Sequence, residues 1–166
     1  SGTKRADGPL PAAPLKVAPD TVVSFEYRLT DDEGVVVDET DGAPAHYLHG
    51  HDNILDGLER ALEGAELGEE RSGILPAKDA FGEASYRAPH RVSRFAFPKD
   101  AALTPGTHFF VDEDGAQRDF WVVKVEGDHV LARPEHPLAG QRMRYWARIL
   151  GVRPSTERER EHGHPL

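Results

Sequence analysis

Residues 21–30 read TVVSFEYRLT, and this segment constrains the chain more than any other. Val23, Phe25, Tyr27 and Leu29 alternate with Ser24, Glu26, Arg28 and Thr30. A period of two puts the apolar set on one side of a strand and the polar set on the other. DDEG at 31–34 is a turn, and Val35, Val36 and Val37 begin a returning strand. The two runs form a hairpin, which argues for an antiparallel sheet. Residues 142–149 repeat the alternation, with Met143, Tyr145, Ala147 and Ile149 on one side and Arg142, Arg144, Trp146 and Arg148 on the other.

One short helix accompanies these strands. Asp56 and Glu59 have the spacing of a capping box, and Gly64 is placed to stop the helix. Leu58, Ala61 and Leu62 fall on one face between them. About two turns do not hold alone in water, so this face must pack on the sheet. A sheet covered on one face by a single helix is an α+β architecture.

Composition narrows the function classes. The 166 residues suffice for one substantial domain or two small ones. A net charge of −9 repels a phosphate backbone, so nucleic-acid binding is not expected. No run approaches the ~18 apolar residues of a membrane span. Residues 1–16 lack the apolar stretch of a signal peptide and read as a flexible leader. With no cysteine, disulfides and thiol catalysis are excluded, and the cytoplasm is the expected compartment.

The stretch from about Tyr86 to Arg133 behaves as a separate β-rich unit. Its strand-like runs are RVSRFAF (91–97), THFFV (107–111), QRDFWVVKVE (117–126) and HVLAR (129–133), with DEDG and EGDH as turns. Seven of the thirteen aromatics lie here: Tyr86, Phe95, Phe97, Phe109, Phe110, Phe120 and Trp121. Two readings stand side by side: a compact aromatic core, or an exposed apolar patch that binds something.

Four blocks in order carry a resemblance. VSFEYRLTDDEGVVVDET, YLHGHDNILDGLERALEGAELGEE, DAFGEA and HPLAGQRMRYWARILGV resemble SlyD-like FKBP-type peptidyl-prolyl cis-trans isomerases from about Val17 to Val152. The resemblance implies an α+β fold: a five- or six-stranded antiparallel FKBP-like sheet wrapped around one short helix. It also implies an insert in the flap, between DAFGEA and HPLAG. The expected organisation is a leader (1–16), an isomerase domain (17–86 and 134–154), a chaperone-like insert (87–133) and a tail (155–166).

The reaction so implied is rotation about an X–Pro amide, whose barrier of about 18–20 kcal/mol comes from lost resonance. No bond breaks, so no cofactor is required, and an apolar pocket that prefers the twisted amide suffices. By resemblance, Tyr27, Phe81 and Tyr145 are pocket walls, Val37 and Ile54 line it, and Leu58 is its floor, where many relatives use tryptophan. The backbone N–H of Leu55 donates to a substrate carbonyl. Asp38 either orients Tyr27 or polarises the twisted amide. Phe81 stands where the family usually has tyrosine, and Ala45 where many single-domain relatives place an aromatic. Phe95, Phe97, Phe109, Phe110, Phe120 and Trp121 are the client-binding set, and unfolded proline-containing polypeptides are the partners.

Histidines raise a second possibility. Relatives often carry a long metal-binding tail, whereas this chain ends EHGHPL, with His162 and His164 as candidates for weak nickel or zinc binding. LHGH, containing His49 and His51, reads as a structural loop rather than a metal site. A holdase with little isomerase activity, or a weak metal handler, are the alternatives to a client-binding isomerase.

Overall fold

The computed structural model describes residues 15–85 and 87–166. Most of the expected leader and Tyr86 lie outside them. Nine strands and two α-helices are present among the described residues: β1 (Thr21–Thr30), β2 (Val36–Glu39), β3 (Ala45–Leu48), α1 (Asp56–Leu62), β4 (Glu70–Leu75), β5 (His90–Ser93), β6 (His108–Glu113), β7 (Ala116–Glu126), β8 (His129–Arg133), β9 (Met143–Pro154) and α2 (Glu157–His162). The architecture is α+β. β1 to β4 and β9 make one five-stranded sheet, and β5 to β8 make a second of four.

β1 occupies the span that the alternation predicts, and it organises the first sheet. Its first half pairs antiparallel with β3, from Val22↔Leu48 to Phe25↔Ala45. Its second half pairs antiparallel with β2, through Arg28↔Glu39 and Leu29↔Asp38. β9 runs along its other side and is followed by β4. Val23, Phe25 and Leu29 are buried, as are Ala147 and Ile149 on β9, so both alternating segments turn their apolar side inward.

The chain divides into two compact units. One comprises residues 15–30 with Val36–Gly73 and Tyr145–Leu166, and the other Asp31–Val35 with Ile74–Arg144. Within the first, Leu58 and Leu62 of α1 are buried along with Val17, Tyr47 and Leu48. α1 departs from its expected start. Leu55 is the N-cap, without a side-chain hydrogen bond, and Asp56 is already helical. Asp56 and Glu59 therefore act as first-turn carboxylates at the positive end of the helix rather than as a capping box. Gly64 does follow the end, at φ +80°, where a side chain would be strained.

The expectation of one helix is corrected by α2. Thr156 accepts from the N–H of Glu159, and the Glu159 carboxylate accepts from the N–H of Thr156, which is a full capping box. Gly163 ends the helix at φ +80°. Glu159 is 2% exposed and pairs through both oxygens with Arg153 of β9, at 2.9 and 2.8 Å. The Ser155 hydroxyl and the Asn53 side-chain amide donate to Asp20 O and Gly163 O, so the tail is tied down at three places.

In the second unit the strand order is β5-β8-β7-β6, antiparallel throughout. Phe120, Val122, Val130 and Ala132 form its core. The run 91–97 does not continue as a strand. Ser93 accepts a hydrogen bond from the N–H of Phe95 and starts a 3-10 turn over Arg94–Ala96. That turn throws the Phe95 ring outward, 82% exposed.

Candidate active site

β1 and β2 bring Tyr27 and Asp38 together. Leu29 faces Asp38 across the pair, so Tyr27, two residues back, is its diagonal neighbour. The Tyr27 hydroxyl donates to Asp38 Oδ2 at 2.6 Å. Burial, then the Asp38 bond and charge, push the phenol up to about 12. Tyr27 thus remains a protonated donor at neutral pH. Its ring stacks on Phe25, 5.1 Å between centroids, and Phe25 in turn meets Tyr47 edge-on at 5.3 Å. Tyr27 is therefore braced through Phe25 by a chain of two further rings.

Tyr145 is half-buried on β9 and lies over Gly73 of β4. A Cβ at Gly73 would meet Tyr145 Cε1 at 3.0 Å and its hydroxyl oxygen at 3.1 Å. Glycine is what lets this ring rest on the neighbouring backbone. Sequence reasoning missed Gly73, although a glycine inside the strand ERSGIL is the usual mark of a close approach.

The other candidates are spread over the elements. Val37 is half-buried on β2, and Ile54 and Leu55 are half-buried at the start of α1. The first helical bond runs from the N–H of Glu59 to the carbonyl of Leu55. The Leu55 N–H precedes that ladder and takes no part in it. Leu58 is 2% exposed, a core side chain of α1. Ala45 sits opposite Phe25 on β3.

Phe81 belongs to the second unit, in the turn after a 3-10 segment at Ala77–Asp79. It stacks on His136, 4.4 Å between centroids and 21° between planes. Of the six insert aromatics, Phe95 and Phe110 are exposed, Phe97, Phe109 and Trp121 are half-buried, and Phe120 is 2% exposed. Phe120 lies between His90 and Phe109 and packs the sheet, so no surface of it is offered to a client.

The histidines of the 46–51 segment have separate partners. His46 hydrogen-bonds Ser24 and His51 pairs with Asp20 at 2.7 Å. His49 is buried, with Nε2 2.9 Å from Glu63 and Nδ1 2.9 Å from the Tyr47 hydroxyl. Glu63 accepts only, so Nε2 carries a proton and donates to it. His49 is thereby a structural bridge. His162 and His164 face each other at 5.9 Å, each with Nδ1 turned to a backbone carbonyl.

The family model for FKBP-type peptidyl-prolyl cis-trans isomerases matches residues 14–104. The chain belongs to that family. It is 38% identical over 151 residues to the FKBP-type peptidyl-prolyl cis-trans isomerase SlyD of Escherichia coli K12, spanning 90% of this chain and 77% of that one. Against SlyD of Treponema pallidum the identity is 35% over 144 residues, with 86% and 82% coverage. The crystal structure of FkpA from Escherichia coli aligns over 87% of this chain and 46% of its own, at 17% identity and a TM-score of 0.47. An FKBP-type isomerase with this sequence places its Tyr27–Asp38 pair on the strand pair that the alternation had marked. Among the described residues no helix is long and apolar enough to cross a membrane.

Proposed function

We propose that this FKBP-type isomerase rotates X–Pro bonds against a wall built from Tyr27, Asp38 and Tyr145, and captures unfolded clients through its second sheet. The observation that carries the first half is the 2.6 Å Tyr27–Asp38 bond in a chain of this family. In the planar amide, charge is separated between oxygen and nitrogen; rotation removes that separation. Aromatic walls exclude water and therefore favour the twisted form. Tyr27 holds Asp38 in one orientation, with its carboxylate beside the prolyl amide. The Leu55 N–H, outside the helix ladder, donates to a substrate carbonyl. Val37 and Ile54 complete the contacts, and Leu58 supports them from the core.

The second half rests on the exposed rings Phe95 and Phe110, with half-buried Phe97, Phe109 and Trp121 in the same unit. β6 is an edge strand of its sheet, so an extended client has backbone groups to pair with as well as rings to cover. On this reading residues 87–133 are the client-binding insert and residues 17–86 and 134–154 the isomerase domain. The compartment we assign is the cytoplasm. Nickel or zinc, if added, binds weakly at His162 and His164 and is not needed for rotation.

A protease-coupled assay on a short X–Pro peptide tests the site. The chain should accelerate isomerisation, and Gly73→Ala, which pushes on the Tyr145 ring, should lower kcat/KM in a protein that stays folded. Wild-type activity in Gly73→Ala would remove Tyr145 from the wall. No acceleration by the parent chain would leave a holdase.

A further inference from the structure

The outward side of β1 carries a hollow that the proposed catalytic wall does not use. Val23, Phe25 and Leu29 turn inward to the core, which leaves Val22, Ser24, Glu26 and Arg28 on the opposite side of the strand. Glu26 and Arg28, with Thr40 and Pro44 of the loop between β2 and β3 and with Trp146 of β9, line a hollow of about 250 Å³. Tyr27 borders it as well, but its hydroxyl is committed to Asp38. All of these residues belong to the first compact unit. The volume lies below the ~300 Å³ at which small-molecule sites begin, and it suits a single side chain.

The charge around this hollow is unbalanced by one carboxylate. Arg28 Nε donates to Glu39 Oε2 at 2.9 Å. Arg148 pairs with Glu70 at 3.2 Å, and Glu70 also accepts the Trp146 indole N–H at 2.9 Å. Each guanidinium is thus neutralised by its own partner. Glu26 is the remainder: half-buried, and without a hydrogen-bond or ion-pair partner among the described residues. An unpaired carboxylate beside an indole is complementary to a cation, because the carboxylate supplies charge and the ring face attracts the same cation through its quadrupole. Arg148, which lies over the Trp146 ring at 5.8 Å, already makes that contact within the chain. The aliphatic stem of a lysine or arginine would rest on Trp146 and Pro44 while its head reaches Glu26.

The hollow does not stand alone. Val22, Ser24 and His46 line a second one with Arg153, Pro165 and Leu166. Ser24 and Glu26 are about 7 Å apart along β1, the spacing of side chains on one side of an extended chain. A peptide laid along β1 therefore puts one side chain in each hollow, which a free amine cannot do. We propose that the outward side of β1 is a docking surface for an extended polypeptide segment, with a lysine or arginine side chain of that segment seated between Glu26 and Trp146. The proposal does not rest on the catalytic reading, since neither Glu26 nor Trp146 belongs to the wall.

The test titrates the full chain with a capped, proline-free hexapeptide carrying one lysine, and with the same peptide carrying norleucine instead. NMR follows the Trp146 indole N–H, told from that of Trp121 by a Trp121→Phe variant. The lysine peptide should shift it saturably, and the norleucine peptide should bind about three- to tenfold more weakly. Glu26→Gln should reduce lysine binding to the norleucine level and leave kcat/KM on an X–Pro peptide unchanged. Raising salt should weaken binding to the parent chain far more than to Glu26→Gln. Phe95→Ser with Phe110→Ser, which removes exposed rings of the other unit, should leave the Trp146 response intact. A Trp146 signal that ignores the lysine peptide, or answers lysine and norleucine alike, overturns the proposal, as does lysine binding that survives Glu26→Gln. N-acetyl-lysine amide binding as tightly as the hexapeptide would overturn the polypeptide as the occupant.

Discussion

Tyr27 carries most of what can be argued for a single side chain. Its hydroxyl is committed to Asp38 and its ring to Phe25, so the two halves of the residue have separable roles. Tyr27→Phe keeps the ring and its stack but frees Asp38 to rotate. One hydrogen bond is worth about 0.5–1.5 kcal/mol net, so kcat/KM on a short X–Pro peptide should drop about two- to tenfold. Thermal stability should barely change, because the bond is exposed to water. A full loss of activity would mean that Tyr27 itself touches the reacting amide through its hydroxyl. No loss would make Asp38 independent of it. That such a pair exists was legible only through the family motif: alternation puts Tyr27 on the inner side of β1 but says nothing of which carboxylate it reaches. His49 was legible to the same limited degree. Its loop was read as structural, but its bridge from Tyr47 to Glu63 joins β3 to the end of α1 and is a tertiary fact.

Among the elements, the strands with strict alternation were readable in advance, and those without it were not. β1 and β9 bury one face each, so period two survives in their residues. β3 and β4 are short and interrupted by His46 or Gly73, and their pairing depends on β1 and β9. α2 was missed for a different reason. Thr156 and Glu159 spell a capping box, but six residues of alternating charge show no apolar face, and its one buried group is a carboxylate. Arg153, and after it the N–H groups of Thr156 and Leu166, hold Glu159 far below the usual carboxylate range. A depressed carboxylate stabilises the folded state above its unfolded pKa and loses that contribution as pH falls below it. Acid should therefore release α2 before the strands. Thr156→Ala should cost about 1 kcal/mol at neutral pH through the lost cap. Glu159→Gln should weaken α2 at neutral pH and flatten its dependence on acid. Hydrogen exchange of the amides from Glu157 to Gly163, followed from about pH 7 to 3, reads both effects. Unchanged exchange in Glu159→Gln would mean that Arg153 does not hold the helix.

At the scale of the whole molecule, the composition left open whether the insert aromatics are core or surface, and the structure divides them. Phe120 is core, whereas Phe95 and Phe110 stand in water. Counting rings cannot separate these cases, because burial depends on register in β6 and β7 and on the 3-10 turn after β5. The division makes the client-binding reading testable without dismantling the sheet. Holding a proline-limited chain near the catalytic wall makes isomerisation effectively intramolecular, with effective concentrations of about millimolar for linked sites. Phe95→Ser with Phe110→Ser removes exposed apolar area and no core, so the sheet should persist by circular dichroism. On the proposed reading a tetrapeptide needs only the Tyr27–Asp38–Tyr145 wall, so peptide kcat/KM should stay at the parent value. Catalysis of refolding of a full-length, proline-limited protein should fall severalfold. Replacing residues 87–133 by a short loop should produce the same split more completely. Phe120→Ala is the contrasting variant. It should destabilise the sheet by about 3–5 kcal/mol, as large-to-small core changes do, and lose refolding activity through unfolding. If the double serine variant refolds the protein as fast as the parent, the exposed rings are not the capture surface. The edge of β6 would then be what remains to hold an extended client.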